Sequence, residues 1–192
     1  MLSDMFDKRV LVLGVGNTLY GDDGFGPAVA ERLVEKRPLP CRRPAVGKRV
    51  PAGEWVLPDD VLVADVGTSV REVLFDLLLS EKRPEKVIII DAVDEPGRRP
   101  GEVFELPIDR IPANKIADFS LHQFPTVMLL HELEEYANLD VVVIAAQVVE
   151  MPRSVAAGLS ESMDEAVRDA CRLVCRHAVV LPDAHPTEVT VP

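Results

Sequence analysis

The stretch that decides the fold is Arg9-Val-Leu-Val-Leu-Gly-Val-Gly-Asn-Thr-Leu-Tyr-Gly-Asp-Asp-Gly-Phe-Gly26. It begins with a continuous apolar run from Val10 to Leu13, which is typical of a strand buried on both faces of a sheet. Glycines then turn the chain, the acidic pair Asp22 and Asp23 follows, and a helix is predicted to start at about Phe25. A buried strand, a glycine turn and a carboxylate at the end of the turn form a unit that builds sites, and the carboxylate can face a nucleotide, a metal or plain solvent.

Length and charge restrict the class of protein. The chain has 192 residues, with 21 basic and 32 acidic side chains and a formal net charge of −11. This length favours a single domain over residues 1–192. The negative charge disfavours nucleic acid and anionic membranes, and we expect neither as a partner. An amino terminus without signal-peptide features, and three cysteines without a disulfide framework, predict a cytoplasmic protein.

Apolar strands alternate with amphipathic helices along the chain. Strands are predicted at residues 9–15, 61–65, 86–91, 102–106 and 140–146, and helices at residues 25–36, 69–80, 120–136 and 160–178. This alternation predicts an α/β fold with three layers, α/β/α, around a mainly parallel, twisted sheet of about five strands. The strand at 86–91 contains three consecutive isoleucines and is expected at the centre of the sheet. Ser69 to Glu72 matches the capping-box pattern at a helix start.

Two segments fall outside the alternation. Residues 37–58 form an insert that is rich in proline and arginine, and proline at this density excludes a regular helix or a central strand. The insert is predicted to be a long loop, which either binds a partner or is simply solvated. Residues 181–192 contain three prolines without periodicity and are predicted to be an irregular tail.

Aspartates stand at the predicted carboxyl ends of three strands. Asp22 and Asp23 follow the first strand, Asp65 closes the second and Asp91 closes the third. The sites of open α/β sheets lie at these ends. A single aspartate there can serve as a helix cap or fix a loop, but capping alone explains three such positions less well. Carboxylates that are brought together shift each other's pKa unless a cation or a shared proton compensates them.

Other site types match the sequence poorly. Leu19 stands where the dinucleotide-binding pattern Gly-x-Gly-x-x-Gly requires its third glycine. His122, at the start of its predicted helix, can project toward the strand ends, whereas His131 points to the opposite side of that helix. Cys171 and Cys175 lie four residues apart on one helix and are predicted to be core residues. A Gly-x-Ser-x-Gly elbow, a Cys-x-x-Cys motif and a Walker loop are all absent from the sequence.

Several short blocks, taken in order, resemble the hydrogenase maturation endopeptidases. They are Gly14–Asn17, Gly21–Gly26, Asp65–Thr68, Ile90–Val93 and Ser120–Gln123. The resemblance runs from Val10 to Ala178 and is strongest to the branch that processes the archaeal hydrogenase reducing the deazaflavin coenzyme of methanogens. It implies a phosphorylase/hydrolase-like fold. It also implies a peptidase that removes the carboxyl-terminal extension from a hydrogenase large-subunit precursor once nickel has been inserted.

The resemblance also implies the site residues. The nickel-contacting positions of the family fall on Asp23, Asp91 and His122, and a further family aspartate, which we expect to position the substrate, falls on Asp65. The first position is commonly glutamate in the family, so Asp23 is one methylene shorter, and Asp22 remains an alternative ligand. Two carboxylates and one imidazole leave coordination positions open and accept nickel, zinc or another divalent ion.

The expected mechanism follows from that ligand set. A precursor whose own thiolates hold the nickel would supply the metal, and the peptidase would recognise it by completing the coordination. As a hypothesis, the metal or its bound water polarises the scissile carbonyl and attacks it. The sequence has no evident serine or cysteine nucleophile with a histidine base, which argues against an acyl-enzyme route, and the general base is not identified. Two alternatives stay open: a nickel-binding chaperone without hydrolytic activity, and a zinc-type hydrolase of small molecules.

Overall fold

Strands and helices alternate along the part of the chain that the computed structural model describes, which comprises residues 5–35, 57–111, 127–150 and 154–178. His122, Ser120, the 181–192 tail and nearly all of the 37–58 insert lie outside these residues. The strands are β1 (Val10–Val15), β2 (Val61–Gly67), β3 (Lys86–Val93), β4 (Val103–Glu105) and β5 (Asp140–Gln147). The α-helices are α1 (Phe25–Glu35), α2 (Val70–Leu79), α3 (Val127–Glu135) and α4 (Glu161–Ala178), with 3₁₀ helices at Gly21–Gly24 and Ile108–Arg110.

The five described strands form one sheet in the order β2-β1-β3-β5-β4. β1, β2, β3 and β5 are parallel, and β4 pairs antiparallel with β5 at an edge. The predicted mainly parallel sheet is therefore confirmed, and the isoleucine-rich β3 lies between β1 and β5. From β1 the chain moves outward to β2 and then returns past β1 to β3. The carboxyl ends of β1 and β3 thus border the crevice where strand order reverses, the usual ligand position in such folds.

Helices cover both faces of the sheet, as the three-layer prediction requires. One apolar cluster joins the sheet to α1 and α4, and a second joins the other face to α2 and α3. The last helix turns an apolar stripe toward the sheet, and its members are all buried: Met163, Ala166, Val167, Ala170, Cys171 and Val174. None of the helices in the described residues combines the length and the apolarity needed to cross a membrane.

Two local expectations were wrong. Ser69 makes no side-chain capping bond, and its backbone, at φ −96° and ψ 21°, lacks the extended conformation that orients a capping hydroxyl toward the first turn. The second and third strands also continue two residues past their predicted ends, to Gly67 and Val93. Asp65 and Asp91 therefore lie inside their strands, because pairing with β1 and β5 extends beyond the apolar runs.

Glycine at position 26 allows α1 to pack directly on the sheet. A Cβ atom there would lie 2.2 Å from the carbonyl oxygen of Val15 and 2.5 Å from that of Ile90. The third glycine of the dinucleotide pattern permits the same close packing of helix against strand. In this chain the packing glycine comes seven residues after Leu19, because the 3₁₀ turn with the two aspartates separates β1 from α1.

Replacing Gly26 by alanine should destabilise the protein by at least about 3 kcal/mol, because the new methyl group meets immobile backbone on two strands. Gly97→Ala is the matched control. A Cβ at Gly97 meets no atom within 4 Å, so only the strain of its left-handed backbone, about 1–2 kcal/mol, is expected. Urea unfolding of both variants measures the difference, and equal losses would exclude this packing constraint.

Candidate active site

Asp23 is held at the end of β1 by the turn that precedes it. The backbone N–H of Asn17 donates to the Asp23 carboxylate at 2.9 Å and to the Asp23 backbone carbonyl at 3.2 Å. Gly16 enters this turn with φ +132°, and a Cβ atom there would lie 1.9 Å from the Asp23 carbonyl oxygen. The glycine therefore lets the backbone approach closely enough to place Asp23 over the sheet edge, where it is 1% exposed.

Asp91 lies close to Asp23 on the neighbouring strand β3 and is also 1% exposed. Burial raises the pKa of Asp91 well above its ordinary value, and the negative charge of Asp23 raises it further. The N–H of Ala92, which donates to the Asp91 carboxylate at 2.8 Å, acts in the opposite direction and lowers this pKa. We call Asp23 and Asp91 the carboxylate pair.

The carboxylate pair has the chemistry of a cation site. Ionising both carboxylates is unfavourable, because each charge is buried and the two charges repel each other. A bound divalent cation or a proton would relieve this repulsion. Among the described residues, no group of three or more His, Cys, Asp or Glu side chains is arranged to hold a metal ion. The pair offers two donors, and the third predicted ligand, His122, belongs to a segment outside the described residues.

Asp22 faces away from the pair toward another part of the chain. Its carboxylate accepts the backbone N–H of Ser160 at 2.7 Å, the backbone N–H of Val149 at 2.9 Å and the hydroxyl of Ser160 at 3.1 Å. Asp22 is 3% exposed, and both of its oxygens are engaged with protein donors. This arrangement favours Asp23 over Asp22 as the ligand to a cation.

Asp65 occupies the same edge of the sheet without joining the buried pair. It is exposed on β2, where it pairs in register with Gly14 of β1. Its carboxylate accepts the N–H of Gly67 at 2.9 Å, which fixes the orientation of the side chain. An exposed, oriented carboxylate beside the crevice is suited to contact a bound molecule.

His131 lies among acidic groups on α3, as expected for a flank residue. Its ring nitrogens are 3.6 Å from a carboxylate oxygen of Asp109 and 3.9 Å from one of Glu134. Burial raises the pKa of Glu134, and the charge of His131 lowers it. These contacts give His131 a local electrostatic role between α3 and the 3₁₀ helix at Ile108–Arg110.

The connection between β5 and α4 is a part of the site that sequence reasoning missed. Its described residues border the turn that carries Asp23: Tyr20 pairs with Ala156 in a parallel bridge, and Leu19 accepts the N–H of Ala156 at 2.9 Å. Leu19, Val149 and Val155 are each at least half exposed on these two segments. The sequence carried no signal for this contact, because its members are more than 120 positions apart and share no motif.

Comparisons with known proteins agree with the resemblance. Residues 53–177 match the family model of the hydrogenase maturation protease HycI. A Methanocaldococcus jannaschii protein whose name describes a hydrogenase maturation protease is 32% identical over 172 residues, which cover 88% of this chain and 96% of that protein. Coenzyme F420 hydrogenase subunit delta of Methanothermobacter thermautotrophicus is 31% identical over 170 residues, which cover 88% of this chain and 94% of the relative.

A solved structure of a hydrogenase maturating endopeptidase also matches this chain. The hydrogenase maturating endopeptidase HybD of Escherichia coli is 26% identical and superimposes with a TM-score of 0.60, over 86% of this chain and 89% of that one. Two archaeal relatives of nearly full length match the archaeal branch expected from the sequence.

Replacing Asp91 by asparagine should stabilise the metal-free protein at neutral pH. The folded state raises the pKa of Asp91, so it binds this proton more tightly than the unfolded state does. In the wild type, the stabilisation of the fold by this bound proton is fully present below the unfolded-state pKa of Asp91 and is lost as pH rises through its folded-state pKa. Asparagine stays neutral and keeps the oxygen that accepts the Ala92 N–H.

The measurement is the free energy of unfolding in chelator, from acidic to neutral pH. We expect the advantage of Asp91→Asn over the wild type to grow with pH. Asp76→Asn, on the exposed face of α2, is the control and should show no such growth. A constant difference between the wild type and Asp91→Asn across this range would refute the raised pKa.

Proposed function

Because the chain belongs to the hydrogenase maturation protease family, we propose that it removes the carboxyl-terminal extension of a nickel-containing hydrogenase large-subunit precursor after nickel insertion. The observation that carries this proposal is the buried carboxylate pair at the switch between β1 and β3. The proposed partner is the precursor itself, and the proposed place of the reaction is the cytoplasm.

The proposed ligands to the nickel of the precursor are Asp23, Asp91 and His122. In this scheme the nickel is part of the substrate, and the protein adds oxygen and nitrogen donors to an ion already held by the precursor. The charge of the ion would offset the repulsion between the two carboxylates and favour the ionised form of Asp91, whose pKa burial and the charge of Asp23 raise in the metal-free protein. A precursor without nickel would leave the repulsion between Asp23 and Asp91 uncompensated and would bind less favourably. This difference supports cleavage only after nickel has been inserted.

The chemistry proposed for the site is hydrolysis by an activated water. A divalent ion polarises a carbonyl oxygen or lowers the pKa of a bound water, and either effect accelerates peptide hydrolysis. Asp65, exposed and oriented by the Gly67 N–H, is proposed to accept a hydrogen bond from the backbone of the precursor. That contact would place the scissile bond beside the carboxylate pair.

Cleavage of a nickel-loaded precursor tests the proposed function directly. Incubation with the wild-type protein should reduce the mass of the large subunit by that of its extension, and a nickel-free precursor should stay intact. Asp23→Ala, Asp91→Ala and His122→Ala should each lower kcat/KM by about 100-fold or more, because each removes a donor to the ion. A chaperone would bind nickel and leave the mass unchanged, whereas a zinc-type hydrolase would cleave small esters.

The exposed apolar side chains of Leu19, Val149 and Val155, beside the turn that carries Asp23, are proposed to contact the extension of the precursor. Leu19→Ser should then raise KM for the precursor several-fold with little change in kcat, because the contact is lost in the ground state and transition state alike. Leu79→Ser is the matched control, because Leu79 is also exposed but ends α2 just before β3 begins, at the amino ends of the parallel strands. An unchanged KM for Leu19→Ser would exclude this contact.

A further inference from the structure

The buried carboxylate of Asp22 joins two distant parts of the chain and has no role in the proposed chemistry. Its three hydrogen bonds connect the turn after β1 to Val149 and Ser160, which are 127 and 138 positions away in the sequence. Hydrogen bonds to an ionised acceptor are stronger than neutral ones. Ser160 immediately precedes the 18-residue helix α4, whose positive amino-terminal end favours an anion at this position.

A second set of contacts, made by backbone groups, joins the same turn to the β5–α4 connection. Gly21 donates its N–H to the Ala156 carbonyl at 2.5 Å, and Ala156 donates its own N–H to the Leu19 carbonyl at 2.9 Å. Within the turn, the Asn17 N–H donates to the Asp23 carboxylate. The turn and the β5–α4 connection are therefore joined by backbone hydrogen bonds through Ala156 and by side-chain hydrogen bonds through Asp22.

We propose that Asp22 is a positioning residue, which fixes the reacting geometry of Asp23 by anchoring the turn to the β5–α4 connection. This inference rests on the proposed function, because it assigns Asp22 a role through Asp23. Asp22 and Asp23 are adjacent in sequence. Hydrogen bonds that fix the Asp22 side chain therefore also restrict the backbone that carries Asp23. A misplacement of about 1 Å at a reacting group can reduce the rate 100-fold, so the anchor has a catalytic consequence.

A graded series of variants removes the anchor in steps. Ser160→Ala deletes the hydroxyl bond alone, and Ser160→Thr restores a hydroxyl. Asp22→Asn keeps the size of the side chain but places an amide N–H₂ group against backbone N–H donors. Leu133→Ala, in the core on α3, is a control for loss of stability that does not touch the turn.

Cleavage kinetics with the nickel-loaded precursor provide the first test. We expect kcat to fall about 10-fold to 100-fold in Asp22→Asn, in the range seen when supports of metal-binding residues are removed, and less in Ser160→Ala. KM for the precursor should stay within about twofold, and Ser160→Thr should recover most of the kcat of the wild type. Leu133→Ala should keep its kcat at a temperature where it is folded, although its unfolding midpoint falls.

Amide exchange provides a second test that does not depend on activity. The Asn17 N–H, which binds Asp23, should exchange at least 10-fold faster in Asp22→Asn, while the amides of β3 keep their wild-type rates. Wild-type kcat in Asp22→Asn would overturn the inference, as would a fall in kcat that Leu133→Ala reproduces at equal stability. If instead the wild-type protein leaves the nickel-loaded precursor at full length, the proposed function itself fails, and the two failures are thereby distinguished.

Discussion

The organisation of the site depends on the burial of two carboxylates next to each other at the carboxyl ends of β1 and β3. Such a pair is unfavourable in the metal-free protein, since burial and mutual repulsion both oppose ionisation, as the raised pKa of Asp91 shows. The pair persists because both side chains are fixed by the surrounding backbone. Asn17 binds Asp23, and the Ala92 N–H binds Asp91. The fold therefore holds two buried carboxylates in fixed positions, as the proposed contact with the nickel of the precursor requires.

The glycines of the first strand and helix serve this arrangement. Gly26 allows α1 to approach the backbones of β1 and β3, and Gly16 allows the turn to fold back until Asn17 meets Asp23. The 3₁₀ turn at Gly21–Gly24 carries two adjacent aspartates with different partners, because the charge of Asp23 acts on Asp91 and Asp22 accepts hydrogen bonds from Ser160. A dinucleotide-binding protein uses similar glycines to admit a pyrophosphate, whereas this chain uses them to place a carboxylate.

Local patterns were sufficient to predict most of the fold. The apolar run of β1, the isoleucines of β3 and the stripe of the last helix each report burial through nearby residues, and the sheet and its layers follow from their alternation. Features that depend on distant parts of the chain were not predictable. The contact of Asp22 with Ser160 has no local signature, and strand pairing beyond the apolar runs placed Asp65 and Asp91 inside their strands. The capping pattern at Ser69 was misleading, because the Ser69 backbone does not adopt the extended conformation that a capping hydroxyl needs.

The central claim is that the carboxylate pair contacts the nickel of the precursor, and X-ray absorption at the nickel edge tests it most directly. Spectra of a nickel-loaded precursor with an uncleavable extension should be recorded alone and with one equivalent of the protein. We expect the complex to show additional oxygen or nitrogen neighbours of nickel, and the same neighbours to be lost with Asp91→Ala. A spectrum that does not change on complex formation, with a wild-type protein that cleaves the natural precursor, would contradict contact between the pair and the metal.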